Sequence, residues 1–314
     1  MSRVESKTDA GTADVVCVAS WNADLISRVA RPIARGETLM ASAFAISPGG
    51  KGSNAAVAAA RQGARVALIA RIGDDDFGRM GLNLWQAEGI ATGHVEQAAG
   101  ERSGVAQILV YDDGDNSIAV HPGAGAGLGA RHAQAATELL HHCRVVMASC
   151  EVPLEATLEA FRLARQGGQA ITLLNPAPAR PLPEELLALV DVLTPNENEL
   201  YQLAGPAHSN SIEAAALQLL ARGCRAVLVT LGAAGCRLYQ SGQPPAELAG
   251  RAMQVADTIG AGDTFTGALA AALARGESLD SAMRWANAAA ALSVTRYGAI
   301  DGIPVRADVA ALMG

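Results

Sequence analysis

The chemistry-bearing stretch of this chain is residues 257–268, Asp-Thr-Ile-Gly-Ala-Gly-Asp-Thr-Phe-Thr-Gly-Ala. Gly260, Ala261 and Gly262 lead into Asp263, and a helix-compatible run covers 263–274. Glycines ahead of a helix let the backbone turn tightly, and the helix start leaves several amide N–H groups without intrahelical partners. Those donors lie at the positive end of the helix dipole, so the site favours a phosphate or another developing anion. Asp263 is an acid in a place built for anions. As an N-cap it would be structural. As a general base it would take a proton from a hydroxyl while the adjacent amides stabilise charge on the group in transfer.

A second glycine-rich stretch, Pro48-Gly49-Gly50-Lys51-Gly52-Ser53-Asn54, opens an Ala-rich run. It is not a P-loop, because Gly52 stands where Ser or Thr must follow the lysine. It reads as a glycine turn starting a helix, or as a sugar-binding loop in which Lys51 and Asn54 bond hydroxyls. Asn22 and Asp24 follow the first apolar strand, where α/β sheets place ligand contacts, although both also suit a turn. Glu151 follows another strand end and by default is a solvated loop carboxylate. The acids of Thr194-Pro195-Asn196-Glu197-Asn198-Glu199 would cap a helix or hold water around Mg²⁺. Residues 230–235 read as a hairpin turn, and the Gly/Ala-rich 123–129 as a flexible connection rather than a dinucleotide fingerprint.

These residues must be positioned by elements that the patterning predicts. Apolar strands are expected at 14–20, 65–70, 144–149, 170–174, 191–194, 226–230 and 236–239. Between them run helices at 54–62, 77–88, 131–142, 153–166, 183–190, 196–204 and 212–222, and a closing pair at 263–274 and 279–294. Such alternation indicates a mostly parallel sheet covered on both faces. The half-wet strands at 37–47, 105–111 and 117–120 do not fit that layer and predict a small separate sheet, a lid or a dimer surface. We therefore expect one domain over 14–314, a β excursion from about 36–48 and 103–121, and a loose N-terminus over 1–13.

The 314 residues are 50% hydrophobic but only 4% aromatic, so the core must be aliphatic, with close helix–sheet approaches. A formal net charge of −7 argues against nucleic-acid or anionic-membrane partners. Five cysteines without a CxxC pair read as buried reduced thiols in a cytoplasmic protein. No signal peptide is apparent, and no apolar run is long enough to span a bilayer. His141 and His142 suit a solvated helix end better than a metal site.

Taken together, these stretches resemble the ribokinase-like carbohydrate kinase family from about residue 15 to 304. The carriers are Ser20-Trp21-Asn22-Ala23-Asp24, Gly36-Glu37-Thr38, the 49–54 loop, Asn175-Pro176-Ala177-Pro178-Ala179-Arg180, Thr194-Pro195-Asn196-Glu197, Thr230-Leu231-Gly232 and 257–265. The resemblance implies a three-layer αβα sandwich with a β-sheet lid that also forms a homodimer contact. It implies transfer of the ATP γ-phosphoryl to a sugar hydroxymethyl, with the 5-hydroxyl of D-ribose as the leading acceptor. The sugar would meet Asn22, Asp24, Gly50, Lys51, Asn54 and Glu151; Asp263 would be the base, and the Ala261, Gly262 and Asp263 amides, after the Gly260 turn, the anion hole. Asn196, Thr230, Gly232, Gly235, Gly262 and Asn287 would line the ATP site, with Glu199 near the waters of Mg²⁺. A K⁺ loop would comprise Asp257, Ile259, Ser293, Arg296 and Gly298, largely through carbonyls. Gly302 stands where members commonly carry Ser, and Asn287 where His is frequent. The pocket motifs leave a nucleoside, deoxyribose or another sugar open as acceptor. Retention of Asp263 with its glycines argues against a non-catalytic sugar-binding regulator.

Overall fold

β1 (Val15–Ala19) is apolar at every position because it lies at the centre of the molecule, with both faces covered. The computed structural model describes residues 13–168, 170–208 and 211–314; of the loose start expected over 1–13, residues 1–12 lie outside the described residues and Ala13 is buried. In spatial order the main sheet is β13 (Ala246–Ala249), β12 (Gly235–Gln240), β11 (Ala226–Thr230), β10 (Val192–Leu193), β9 (Ile171–Asn175), β8 (Val145–Ser149), β1, β4 (Val66–Gly73) and β5 (Ala91–Ala98). Pairing is parallel from β5 to β11, whereas β12 and β13 are antiparallel. The turn at 230–235 is thus a hairpin connection, as expected.

Strand alternation divides the core. Cys17, Ala19 and Leu68 face the helices Lys51–Arg61, Ala261–Ala274 and Leu279–Ser293; Val16, Val18 and Ile69 face Phe161, Leu140 and Leu186. The five cysteines are buried and free. Among the described residues no helix is long and apolar enough to cross a membrane.

A second sheet, in the order β3 (Ala43–Gly49), β2 (Asn22–Arg28), β6 (Gly104–Val110), β7 (Asn116–His121), forms the lid. It differs from the expected excursion. Residues 37–42 are irregular, β3 runs two residues further, and Asn22 and Asp24 begin a lid strand rather than a turn. β2 and β5 escape the patterning because their alternation is short and their partners are distant in the chain. The segment predicted as one helix over 131–142 is two, Ala130–Ala135 and Thr137–His142, and residues 123–127 form a 3₁₀ turn.

Two helices meet closely enough to matter for the site. An added Cβ at Gly267 would lie 2.2 Å from the Ala55 carbonyl and 2.6 Å from Ala58 Cβ. The alanines of the Lys51–Arg61 helix and this glycine let the two backbones approach, one turn beyond Asp263. Replacing Gly267 by Ala therefore overpacks the seam. We predict a loss of about 1–3 kcal/mol in urea unfolding, with turnover falling as the two helix starts lose register; unchanged stability would show the seam to be slack.

Candidate active site

Asp263 lies in the first turn of the helix Ala261–Ala274 and is only 5% exposed. It does not cap that helix: the N-cap is Gly260, left-handed at φ 76°, a conformation that favours glycine. The amides of Gly262 and Asp263 are too early in the helix to have i−4 partners. The Ala261 amide donates to the Thr258 carbonyl at 3.3 Å, so the predicted anion hole has one donor partly engaged. Asn54 Nδ2 donates to Asp263 Oδ2 at 2.9 Å, and among the described residues Asp263 Oδ1 receives no hydrogen bond. Among the described residues Asn54 Oδ1 is buried without a partner.

The other predicted sugar contacts gather around the start of the Lys51–Arg61 helix. Gly50, its N-cap at φ 93°, packs against Ser20 and Trp21 so closely that a Cβ would lie 2.8 Å from the Ser20 carbonyl. Glu151 is not a solvated loop carboxylate: its Oε2 accepts from Ser20 Oγ at 2.6 Å and from the Lys51 amide at 2.8 Å. Ser20, which the sequence reading leaves without a role, also accepts from the Gly52 amide at 3.0 Å and so ties β1, Glu151 and the helix start together. Asn22 and Asp24 project from one face of β2 onto glycines. An added Cβ would come within 2.4 Å of Asn22 Oδ1 at Gly104 and within 2.1 Å of Asp24 Oδ1 at Gly49. Gly104 also went unrecognised, because only the β2–β6 register reveals what it must accommodate.

Three acids surround one lysine. Burial, reinforced by Glu151 and Asp263, pushes the Asp24 carboxyl up to about 7. Burial also raises Glu151, against the Ser20 hydroxyl and Lys51. Asp263 is the leading influence holding the Lys51 ammonium above its usual range against desolvation, with Glu151, Glu199 and Asp24 adding to it.

A cavity of about 660 Å³ is lined by Asn196, Thr230, Gly232, Gly235, Gly262 and Asn287, bringing the whole predicted nucleotide set together with Ala261, Phe265 and Val294. A smaller one, about 200 Å³, is walled by Ser20, Trp21, Asn22, Glu151, Val120, Pro122 and Gly125. Asp24, Gly50, Lys51, Asn54 and Asp263 are not among its walls, and Asp263 does not line the larger cavity either; the Lys51 amide is bonded to the wall residue Glu151, and Asn54 to Asp263. Both cavities lie at the carboxyl ends of the parallel strands. A further hollow of about 470 Å³, near Arg165, Asp191 and Arg225, opens at the amino ends and touches none of the predicted residues.

The residues expected to form a cation loop lie as follows. Asp257 accepts from the Ile259 amide at 3.0 Å and the Gly298 amide at 2.9 Å. A Cβ at Gly302 would lie 2.7 Å from the Ser293 carbonyl and 3.7 Å from that of Arg296, so these oxygens converge on it. The Arg296 guanidinium points away, 4.0 Å from Asp308. Glu199 has a structural task, a reciprocal capping box with Asn196 at 2.8 and 2.9 Å. Among the described residues no group of three or more His, Cys, Asp or Glu can hold a metal ion.

Comparison with known proteins places nearly the whole chain among carbohydrate kinases. A model of the pfkB family carbohydrate kinases matches residues 12–306. The chain is 38% identical over 291 residues to a ribokinase of Haemophilus influenzae, covering 92% of this chain and 94% of the relative. It is 35% identical to a deoxyribokinase of Salmonella typhi, covering 93% and 95%. An Arabidopsis thaliana ribokinase complexed with ribose and ATP superposes with a TM-score of 0.90 at 32% identity, over 96% of this chain and 99% of that one.

Asp24 yields a prediction independent of any ligand. Its folded pKa, about 7, lies above its ordinary 3.8, so the folded state binds the proton more tightly. Its contribution is therefore complete below about pH 4 and is lost as pH rises through 7. Asp24→Asn should make the protein more stable than wild type at pH 8, with the gain vanishing near pH 4. Melting curves at the two pH values check this; an equal shift at both would contradict it.

Proposed function

This chain belongs to the pfkB family of carbohydrate kinases, and on that premise we propose that it transfers the γ-phosphoryl group of ATP to the 5-hydroxyl of D-ribose. The observation that carries the reading is the position of Asp263. Its neighbours Ala261 and Gly262 line the large cavity, while Asn54 holds its carboxylate toward the polar cradle of Asn22, Asp24, Lys51 and Glu151. ATP would occupy the 660 Å³ cavity, with its phosphates toward the Gly262 and Asp263 amides. The sugar would occupy the cradle, where the two acids of Asp24 and Glu151 and the two amides of Asn22 and Asn54 suit vicinal hydroxyls.

Asp263 would accept the proton of the attacking hydroxyl through its free Oδ1. Phosphoryl transfer runs through a loose transition state, so positioning and charge stabilisation matter more than base strength, and an ordinary carboxylate suffices. Lys51, kept charged by Asp263, would balance negative charge between the two cavities. The lid, with Val120 at the wall of the small cavity, would exclude water, which otherwise competes as acceptor.

The donors present would suit both Mg²⁺ and K⁺. Without an all-protein metal cluster, Mg²⁺ would be held by ATP and by waters around Glu199, where it neutralises charge on the transferring phosphates. The Ser293 and Arg296 carbonyls beside Gly302 would offer oxygen donors of the kind K⁺ takes, near Asp257, whose carboxylate holds the Ile259 and Gly298 amides of the loop leading into Gly260.

The 200 Å³ cavity, which shares Asn22 and Glu151 with the cradle, is below the roughly 300–1,000 Å³ of pockets for larger ligands, which supports a monosaccharide over a nucleoside. Exposed Phe44 and Ile46, on the lid face opposite Ile118 and Val120 in the strand register, offer an apolar surface that a second copy of the chain would cover.

Turnover of D-ribose, 2-deoxyribose, fructose and nucleosides with Mg²⁺–ATP, in K⁺ and in Na⁺, tests the reading. We expect ribose to be fastest and K⁺ to exceed Na⁺. A flat ribose trace beside strong nucleoside turnover would overturn the acceptor assignment, and equal rates in both salts would remove the cation loop.

A further inference from the structure

A charged cluster outside the cavities grips the lid where it leaves the main sheet. Arg71 and Glu96 sit side by side in the β4–β5 register, and Arg71 Nε donates to Glu96 Oε1 at 2.8 Å. The same guanidinium donates to both oxygens of Glu101, at 2.8 and 2.6 Å, on the chain entering β6. It also donates to the Ala124 carbonyl at 2.7 Å, on the chain leaving β7. The two crossing chains are themselves joined, with the Ala124 amide bonded to the Arg102 carbonyl at 2.7 Å. Gly127 lies so close over the guanidinium that a Cβ would stand 2.4 Å from Nη1.

Arg71 is nearly buried, at 11% exposure, and its neighbours are ionised: it holds Glu101 below the usual carboxylate range, and Arg131 and Arg71 bring Glu96 to about 2. Four directed bonds from one planar fork to three partners fix a geometry that a lysine cannot reproduce. The residues flanking Ala124 are cavity walls: Pro122 and Gly125 line the 200 Å³ cavity, and Val120 reaches it from the lid. No wall of the 660 Å³ cavity comes from this part of the chain.

We propose that Arg71 is a positioning residue for the phosphoryl acceptor, setting the Pro122–Gly125 wall and the hinge of the lid while leaving the nucleotide site untouched. The inference rests on the sugar-kinase reading and assigns to it a residue more remote than any contact. Losing the fork releases the Ala124 carbonyl, so the wall relaxes and the acceptor is held less well.

Steady-state kinetics of full-length Arg71→Lys and Arg71→Met test this. They are run with whichever monosaccharide the wild type turns over fastest, so failure of ribose as acceptor would count against the function above and leave this test intact. We expect the acceptor KM to rise roughly ten- to hundredfold, the worth of one charge-assisted hydrogen bond, with the ATP KM unchanged and kcat within about threefold. Gly127→Ala, which displaces the guanidinium without removing it, should give the same signature and carries the test if the Arg71 variants do not fold. An unchanged acceptor KM overturns the proposal, as does a parallel shift of both KM values and kcat with a lowered melting temperature.

Discussion

The hydrogen bond from Asn54 Nδ2 to Asp263 Oδ2, 2.9 Å long, joins the two helix starts on which the site is built. A buried carboxylate without a partner would be costly, and a hydrogen bond to a charged group contributes about 1.5–3 kcal/mol. That bond forms only because the helices approach along a seam of alanines and Gly267. The low aromatic content thus has a structural consequence. Small side chains bring two backbones together, and the backbones bring an amide to an acid.

Around this bond the molecule concentrates like charge. Asp24, Glu151 and Asp263 share one lysine, and burial together with the two neighbouring acids raises Asp24 to about 7. Such an arrangement weakens the folded state at neutral pH, and its persistence fits a site where acceptors must face a polyhydroxylated ligand. The glycines follow the same logic. Gly49 and Gly104 leave room for Asp24 and Asn22, and Gly260 takes the left-handed turn from which the Asp263 helix can begin.

Both glycine-led helix starts are legible in the sequence because local chemistry dictates them, and the alternation of strands and helices is legible because each buried strand is apolar throughout. The grouping of Asn196, Thr230, Gly232, Gly235, Gly262 and Asn287 around one cavity was reachable through resemblance to a known family; spacing alone left Asn196 in a helix cap, residues 230–235 a hairpin turn and Asn287 a position inside a helix, with Gly262 alone read as part of an anion site. What stayed hidden depends on pairing between distant segments. β2 is recognisable only with β3 and β6 on either side, Ser20 only once Glu151 is brought across from β8, and Gly104 only in register with Asn22. Arg71 reads as an ordinary strand-end cation until the lid crossings are folded over it.

The most direct test of the account is Asp263→Asn, which keeps the size of the side chain and a polar partner for Asn54 while removing the base. Turnover should fall by about 10²–10⁴, the usual scale for a positioned general base, with sugar binding by calorimetry and the melting temperature close to wild type. Near-normal turnover in a folded Asp263→Asn protein would contradict it and return this acid to a purely structural role.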